Sequence, residues 1–72
     1  MGDRIKTGDF GRFVFTIKFK SRYGMITTLF DIEGAEVIDE DSRNVWLKDA
    51  DKEYLVTRRR ITYFEHMEKV GV

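Results

Sequence analysis

From Arg12 to Lys20 the chain alternates: Phe13, Phe15, Ile17 and Phe19 fall on one side of an extended backbone, and Arg12, Val14, Thr16, Lys18 and Lys20 fall on the other. Sustained period-two patterning is the mark of a strand with one buried face, so this segment predicts a first strand whose Phe and Ile row is core. Ser21, Arg22, Tyr23 and Gly24 read as a turn. A second strand is expected from Met25 to about Asp39, and Gly34 inside it predicts a bend or bulge. The wholly polar run Asp39 to Arg43 is a second turn. Asn44 to Asp49 then forms a third strand, with Val45 and Leu47 on one face and Trp46 on the other. After a turn at Ala50, Asp51 and Lys52, Tyr54 to Thr57 and Ile61 to His66 make two short strands, with Arg58, Arg59 and Arg60 in the tight connection between them. Residues 1 to 11 hold three glycines and little pattern, and read as a flexible arm before a single domain over residues 12–68.

Composition agrees with strands. Ile, Val, Thr, Phe, Tyr and Trp supply 28 of the 72 residues, against two Ala, three Leu and no Gln, which is the make-up of a pleated, half-buried surface. A domain of this length buries only roughly 60% of its unfolded surface, and with no cysteine it has neither disulfides nor a thiolate zinc site to reinforce it. The Phe-rich first strand is the expected substitute. Five short strands bent at a glycine predict an all-β, closed small barrel, because closure removes exposed edges. The longest uncharged stretch, Tyr23 to Phe30, is far short of the ~20 apolar residues of a membrane span, and no signal-peptide pattern opens the chain. The expectation is a soluble, cytoplasmic protein with no membrane contact.

Formal net charge is zero, but the charges are segregated. Residues 1 to 24 carry six basic and two acidic side chains, residues 25 to 56 three and nine, and residues 57 to 72 four and two. An electropositive region built from Lys18, Lys20, Arg22 and Arg58 to Arg60 is therefore expected opposite an acidic one around Asp39 to Asp41 and Asp49 to Glu53. Basic side chains beside aromatics, here Lys18, Lys20, Arg22 and Tyr23, make the strip that single-strand binders use. Three adjacent guanidiniums repel one another unless anions or carboxylates lie nearby, so the triple arginine reads either as an anion site or as the partner of the acidic segment. Trp46 reads as a cap on the core, an oligomer interface or a stacking platform.

Enzyme chemistry finds no support. Nucleophilic catalysis needs a nucleophile beside an oriented base, yet the only serines, Ser21 and Ser42, fall in turns, and the single His66 falls near the end of the last strand. Asp49, Asp51 and Glu53 are spaced like the opening of a calcium loop, but the positions that require Gly and Glu hold Tyr54 and Arg60. Gly8 and Gly11 fit no phosphate-binding glycine motif. No cofactor is expected.

Counting from Gly34, an acidic residue follows six positions later (Glu40), Asn ten later (Asn44), Leu thirteen later (Leu47), Asp fifteen later (Asp49) and a small residue sixteen later (Ala50). This resembles the first motif of the Sm-like family, the small Src-homology-3-like barrels that include the Hfq type. Arg58 to Thr62 is similar to the short basic turn between the last two strands of the Hfq branch, and the likeness covers Gly34 to Phe64. It departs from the family at Ser42, where an aromatic or His is common, at Arg59, where most Sm proteins have Gly, and in lacking a recognisable N-terminal helix. The resemblance implies a ring-forming, RNA-binding module. In it Asn44 would hydrogen-bond a base, Arg58 or Arg59 would meet a phosphate or stack on a base, and Glu40 or Asp39 would brace the turn.

The expectation is a non-enzymatic barrel that forms homo-oligomers and binds RNA or single-stranded nucleic acid through Asn44, Arg58, Arg59, Arg60, Lys18, Lys20 and Arg22, with Trp46 and Tyr23 as interface or stacking residues. The alternative is a protein-interaction module, a phage-type or accessory inhibitor or adaptor, that docks a protein partner through its polarised charged faces. A further possibility is a structural subunit whose strand edges pair between protomers.

Overall fold

Backbone pairing gathers every alternating segment into one antiparallel sheet. The computed structural model describes residues 4–69: strands β1 (Phe10–Ser21), β2 (Gly24–Glu40), β3 (Asn44–Asp49), β4 (Lys52–Thr57) and β5 (Ile61–His66), with a 3-10 turn, Arg58–Arg60, between the last two. The all-β class and the five strands are those the pattern predicts, with ends that differ by two residues at most. Of the expected N-terminal arm, residues 1–3 lie outside the described residues, while Phe10 and Gly11 belong to β1. Gly8 donates its N–H to the Val37 carbonyl at 2.9 Å, and Val37 donates back to Asp9 at 2.8 Å, so the approach to β1 lies along β2.

The strand order is β4-β3-β2-β1-β5. Laid flat, its outer strands would be about 19 Å apart at ~4.8 Å per strand. They are joined by one 3-10 turn, which spans only about 6 Å at ~2 Å per residue. The sheet must therefore curl, and three register shifts supply the curl. One lies where Gly11 and Phe13 of β1 face Ala35 and Ile32 of β2, leaving an extra residue at Gly34, whose φ of +84° favours glycine. The others lie between Val37 and Asp39 on β2, and opposite Val14 and Phe15 on β5.

The curl brings β1 against β4 across the core, but the sheet does not close. This corrects the expectation of a closed barrel, and the physical reason lies in the connection. Arg58 donates its backbone N–H to the Arg43 carbonyl at 2.7 Å and accepts the Ile61 N–H. The polar backbone groups at that point are satisfied by a turn rather than by a β4 to β5 ladder.

The inner face buries Phe13, Phe15, Ile32, Ala35, Val37, Val45, Leu47 and Val56, and Ile5 packs against this cluster from the N-terminal segment. Phe13 stacks on Phe64 at 4.5 Å between ring centres. Phe15 and Phe30 stack at 5.3 Å, and Tyr54 meets both edge-on at 5.8 and 5.7 Å. This aromatic trio from β1, β2 and β4 seals one end of the core.

Beyond it the chain has no third strand to pair with. β5 reaches only Gly11 to Phe15 of β1, and β3 only Glu36 to Glu40 of β2, so Thr16 to Leu29 stands out as a two-stranded arm. The radius of gyration, 12.8 Å, exceeds the about 11 Å of a compact domain of this length. Phe19, expected in the core, lies on this arm and is 46% exposed. Its alternation places it in the correct row, but no other element covers that row beyond Ile17.

Two substitutions test this backbone. A Cβ at Gly11 would lie 2.0 Å from the Glu65 carbonyl oxygen; Gly11→Ala is expected to part β5 from β1 and cost about 1–3 kcal/mol in urea denaturation. Ala50 holds φ +56° in the β3–β4 hairpin. Ala50→Gly relieves that conformation and is expected to raise stability by about 1 kcal/mol.

Candidate nucleic-acid interface

The β2–β3 turn is organised by one aspartate. Asp41 Oδ1 accepts the backbone N–H groups of Arg43 at 2.8 Å and Asn44 at 2.7 Å, while the Asp41 N–H donates to the Asn44 carbonyl at 2.9 Å. Asp residues favour such turns because their short side chains reach the backbone two and three residues on. The Arg43 N–H, then the Asn44 N–H, hold the Asp41 carboxyl below its ordinary range; the Arg58 charge adds to this.

The 3-10 turn lies against this loop. Its first arginine, Arg58, donates from Nε to the Asp41 carbonyl at 2.7 Å, from Nη1 to the Ile5 carbonyl at 2.7 Å, and from Nη2 to Glu40 Oε1. Arg4 reaches the same place, donating to the Asp41 carbonyl at 3.2 Å. The Arg58 side chain is only 18% exposed, so it works as a clasp between the N-terminal segment, the β2–β3 turn and the β4–β5 connection. Glu40 accepts from Arg58 and so ties the end of β2 to the β4–β5 connection. Asp39 accepts the Glu40 N–H at 2.8 Å.

What the clasp leaves facing solvent is an open depression lined by Ser42, Arg43, Asn44, Thr57, Arg58 and Arg59. Asn44 is half-buried at the start of β3, paired with Thr57. Arg59 is exposed and Arg60 half-buried, and neither makes an ion pair among the described residues. Arg43 is also exposed; the sequence reading passed over it, although its position next to Asn44 inside an acidic turn was a signal. The depression can thus offer two guanidiniums to anions and an amide to a base edge. Asp39, Glu40 and Asp41 stand nearby, with much of their hydrogen-bonding capacity taken by Arg58 and backbone N–H groups.

Lys18, Lys20 and Arg22 do not join this group. They lie at the arm end of β2, and Asn44 and the arginines lie at its other end, in a molecule 44 Å along its longest axis. The single electropositive region expected from the sequence is two separate ones, because β2 runs 17 residues between them. Tyr23, 89% exposed, sits at the arm tip, where Ser21 Oγ accepts the Tyr23 N–H at 3.1 Å. Trp46 is half-buried on the outer face of β3, opposite Leu55. His66 is exposed on β5, edge-on to Phe64.

No family model, curated protein or solved structure matches this chain. The site must be read from its own geometry. Among the described residues there is no group of three or more His, Asp or Glu side chains placed to hold a metal, and no helix is long and apolar enough to cross a membrane.

The clasp and the turn predict two stability effects. Arg58→Ala leaves the Ile5 carbonyl without its side-chain donor, and Glu40 and the Asp41 carbonyl with Arg4 alone, and is expected to cost about 2 kcal/mol. Asp41 has a folded pKa below its unfolded one, so its contribution is present above about pH 4 and is lost as pH falls through the folded value. In urea titrations from pH 7 to 2, Asp41→Ala is expected to be the less stable protein at neutral pH and to lose less on acidification.

Proposed function

We propose that the protein is a non-enzymatic, Sm-like nucleic-acid-binding module that self-associates and binds RNA or single-stranded nucleic acid at the depression between the β2–β3 turn and the arginine 3-10 turn. The observation that carries this reading is the convergence of Asn44, Arg43 and Arg59, from two turns far apart in sequence, on one open surface. Arg43 and Arg59 take phosphates, and Asn44 presents an amide that can donate to and accept from a base edge. Arg58 holds the turns together and takes no phosphate, since Glu40 and two carbonyls already occupy it. Self-association draws on the open edges of β4 and β5 and on the small core. A protein with this role works in the cytoplasm.

The protein-docking reading, an inhibitor or adaptor, draws on a different observation. The β1–β2 arm exposes Phe19, Tyr23, Met25, Ile26 and Leu29, and apolar surface of this kind marks contacts with other macromolecules.

Electrophoretic shift and fluorescence anisotropy with a mixed RNA and DNA oligonucleotide pool test the first reading. Arg59→Gln is expected to weaken binding and to lower the slope of log affinity against log salt by about 0.7, the value for one phosphate on a single strand. The paired change Arg43→Glu with Arg59→Glu is expected to abolish binding while the urea midpoint stays within a few tenths molar of wild type. No shift by the wild-type protein at low salt would refute nucleic-acid binding.

A further inference from the structure

The arm raises its own question of what covers it. A two-stranded ribbon is marginal in water by itself, and this one carries apolar side chains on both faces. The register sets Phe19 opposite Ile26 on the face continuous with the core, and Lys20 opposite Met25, Lys18 opposite Thr27 and Thr16 opposite Leu29 on the other. Met25 and Leu29 are 59% and 65% exposed. The sequence from Thr16 to Phe30 holds Lys18, Lys20 and Arg22 and no acidic residue. One face of the arm therefore sets Met25 and Leu29 beside Lys18 and Lys20, with Thr16 and Thr27 completing it.

The opposite kind of surface lies on the outer face of β2, β3 and β4. Trp46 sits opposite Leu55, which is 56% exposed, and on its other side opposite Asp39. The next cross-strand row is Glu36, Lys48 and Glu53. This patch centres on Trp46 and Leu55, with Asp39, Glu36 and Glu53 around it against Lys48 and the Lys69 that pairs with Glu36 at 2.9 Å. The two surfaces carry net charges of opposite sign.

We infer that the β1–β2 arm of one copy docks by its Lys18, Lys20, Met25 and Leu29 face on the Trp46 and Leu55 patch of a second copy. The inference rests on the self-association proposed above and adds to the open edges of β4 and β5 a second surface that takes part in it. Two different patches meet, so the contact is head-to-tail, building a ring or an open chain rather than a two-fold dimer. On the outer face, the row beside Trp46 and Leu55 is Asn44 and Thr57. The docked arm brings its own Lys18, Lys20 and Arg22 to the face on which the second copy's Asp39 and Glu53 flank Trp46 and Leu55.

Light scattering and sedimentation across a wide concentration range test this with charge-reversed partners. Wild type is expected to exceed monomer mass, and Lys18→Glu with Lys20→Glu, or Asp39→Lys with Glu53→Lys, to weaken association at least about tenfold, a shift of 1.4 kcal/mol. Mixing the two reversed variants is expected to restore the wild-type mass, because each arm then faces a patch of opposite sign. Leu55→Ser, which leaves every charge in place, is expected to weaken association as well; circular dichroism and urea midpoints establish that each variant folds. A wild-type oligomer unaffected by arm reversal would overturn the docking while leaving self-association standing. A wild type that stays monomeric at every concentration would overturn both. An arm whose reversal releases the protein from anionic vesicles without changing its mass would belong to a membrane surface, which also overturns the contact between copies.

Discussion

The fold depends on where the five donors of Arg58 go. Nε and the two terminal nitrogens reach the Asp41 carbonyl, the Ile5 carbonyl and the Glu40 carboxylate, and the backbone N–H of the same residue reaches Arg43. Three stretches of chain are thereby fixed to one another: the entry to β1, the β2–β3 turn, which Arg4 also ties to that entry, and the β4–β5 connection. Only a guanidinium can do this, since its planar fork donates in several directions at once, while an ammonium at the same place is a single point charge. Because the pair with Glu40 is largely shielded from water, losing Arg58 would leave Glu40 only the more exposed Arg4, 3.9 Å away.

The clasp also explains how a sheet can curl this far and still stay open. The curl comes from bulges, and above all from the extra residue at Gly34. Where a ladder between β4 and β5 would complete a barrel, the chain instead spends three residues on a turn whose backbone bonds are local, and Arg58 holds the ends together in place of the ladder. The result is a core filled from one face, with an aromatic trio as its seal, two unpaired edges, and an arm that beyond Ile17 leaves its apolar row uncovered. Surfaces of these kinds are costly to leave in water, and that cost is what the proposed self-association would relieve.

Strands and turns were legible because alternation and turn residues are local signals: Asn44–Asp49 and Ile61–His66 can be read from the chain without knowledge of any neighbour. Burial was legible only in part. The row of Phe13, Phe15, Ile17 and Phe19 says which residues share a face, but Phe19 is exposed because cover depends on β5 and β3 stopping short of the arm. The triple arginine failed in another way. In a 3-10 turn successive side chains point about 120° apart, so Arg58 turns inward to Glu40 while Arg59 turns to solvent, and no sequence pattern ranks the three. Open and closed sheets were equally hidden, since the difference lies in whether two edges distant in sequence exchange hydrogen bonds.

Electrostatics follows from the same layout. A formal charge of zero gives little long-range attraction to a polyanion, yet the arm and the arginine turns stand at opposite ends of β2 in a molecule 44 Å long. That separation is several times the roughly 8 Å over which charges interact at physiological salt. Each end acts on its own surroundings, and cancellation in the sum is no cancellation at either site. A single copy offers a nucleic-acid strand two exposed guanidiniums and an amide, which is a short and weak track. In the proposed head-to-tail contact the basic arm of one copy would lie on the same outer face as the next copy's Asn44 and Thr57, and that track would lengthen with every copy added. Strand binding and self-association would then favour each other, since a strand that spans the junction would neutralise cations of both copies.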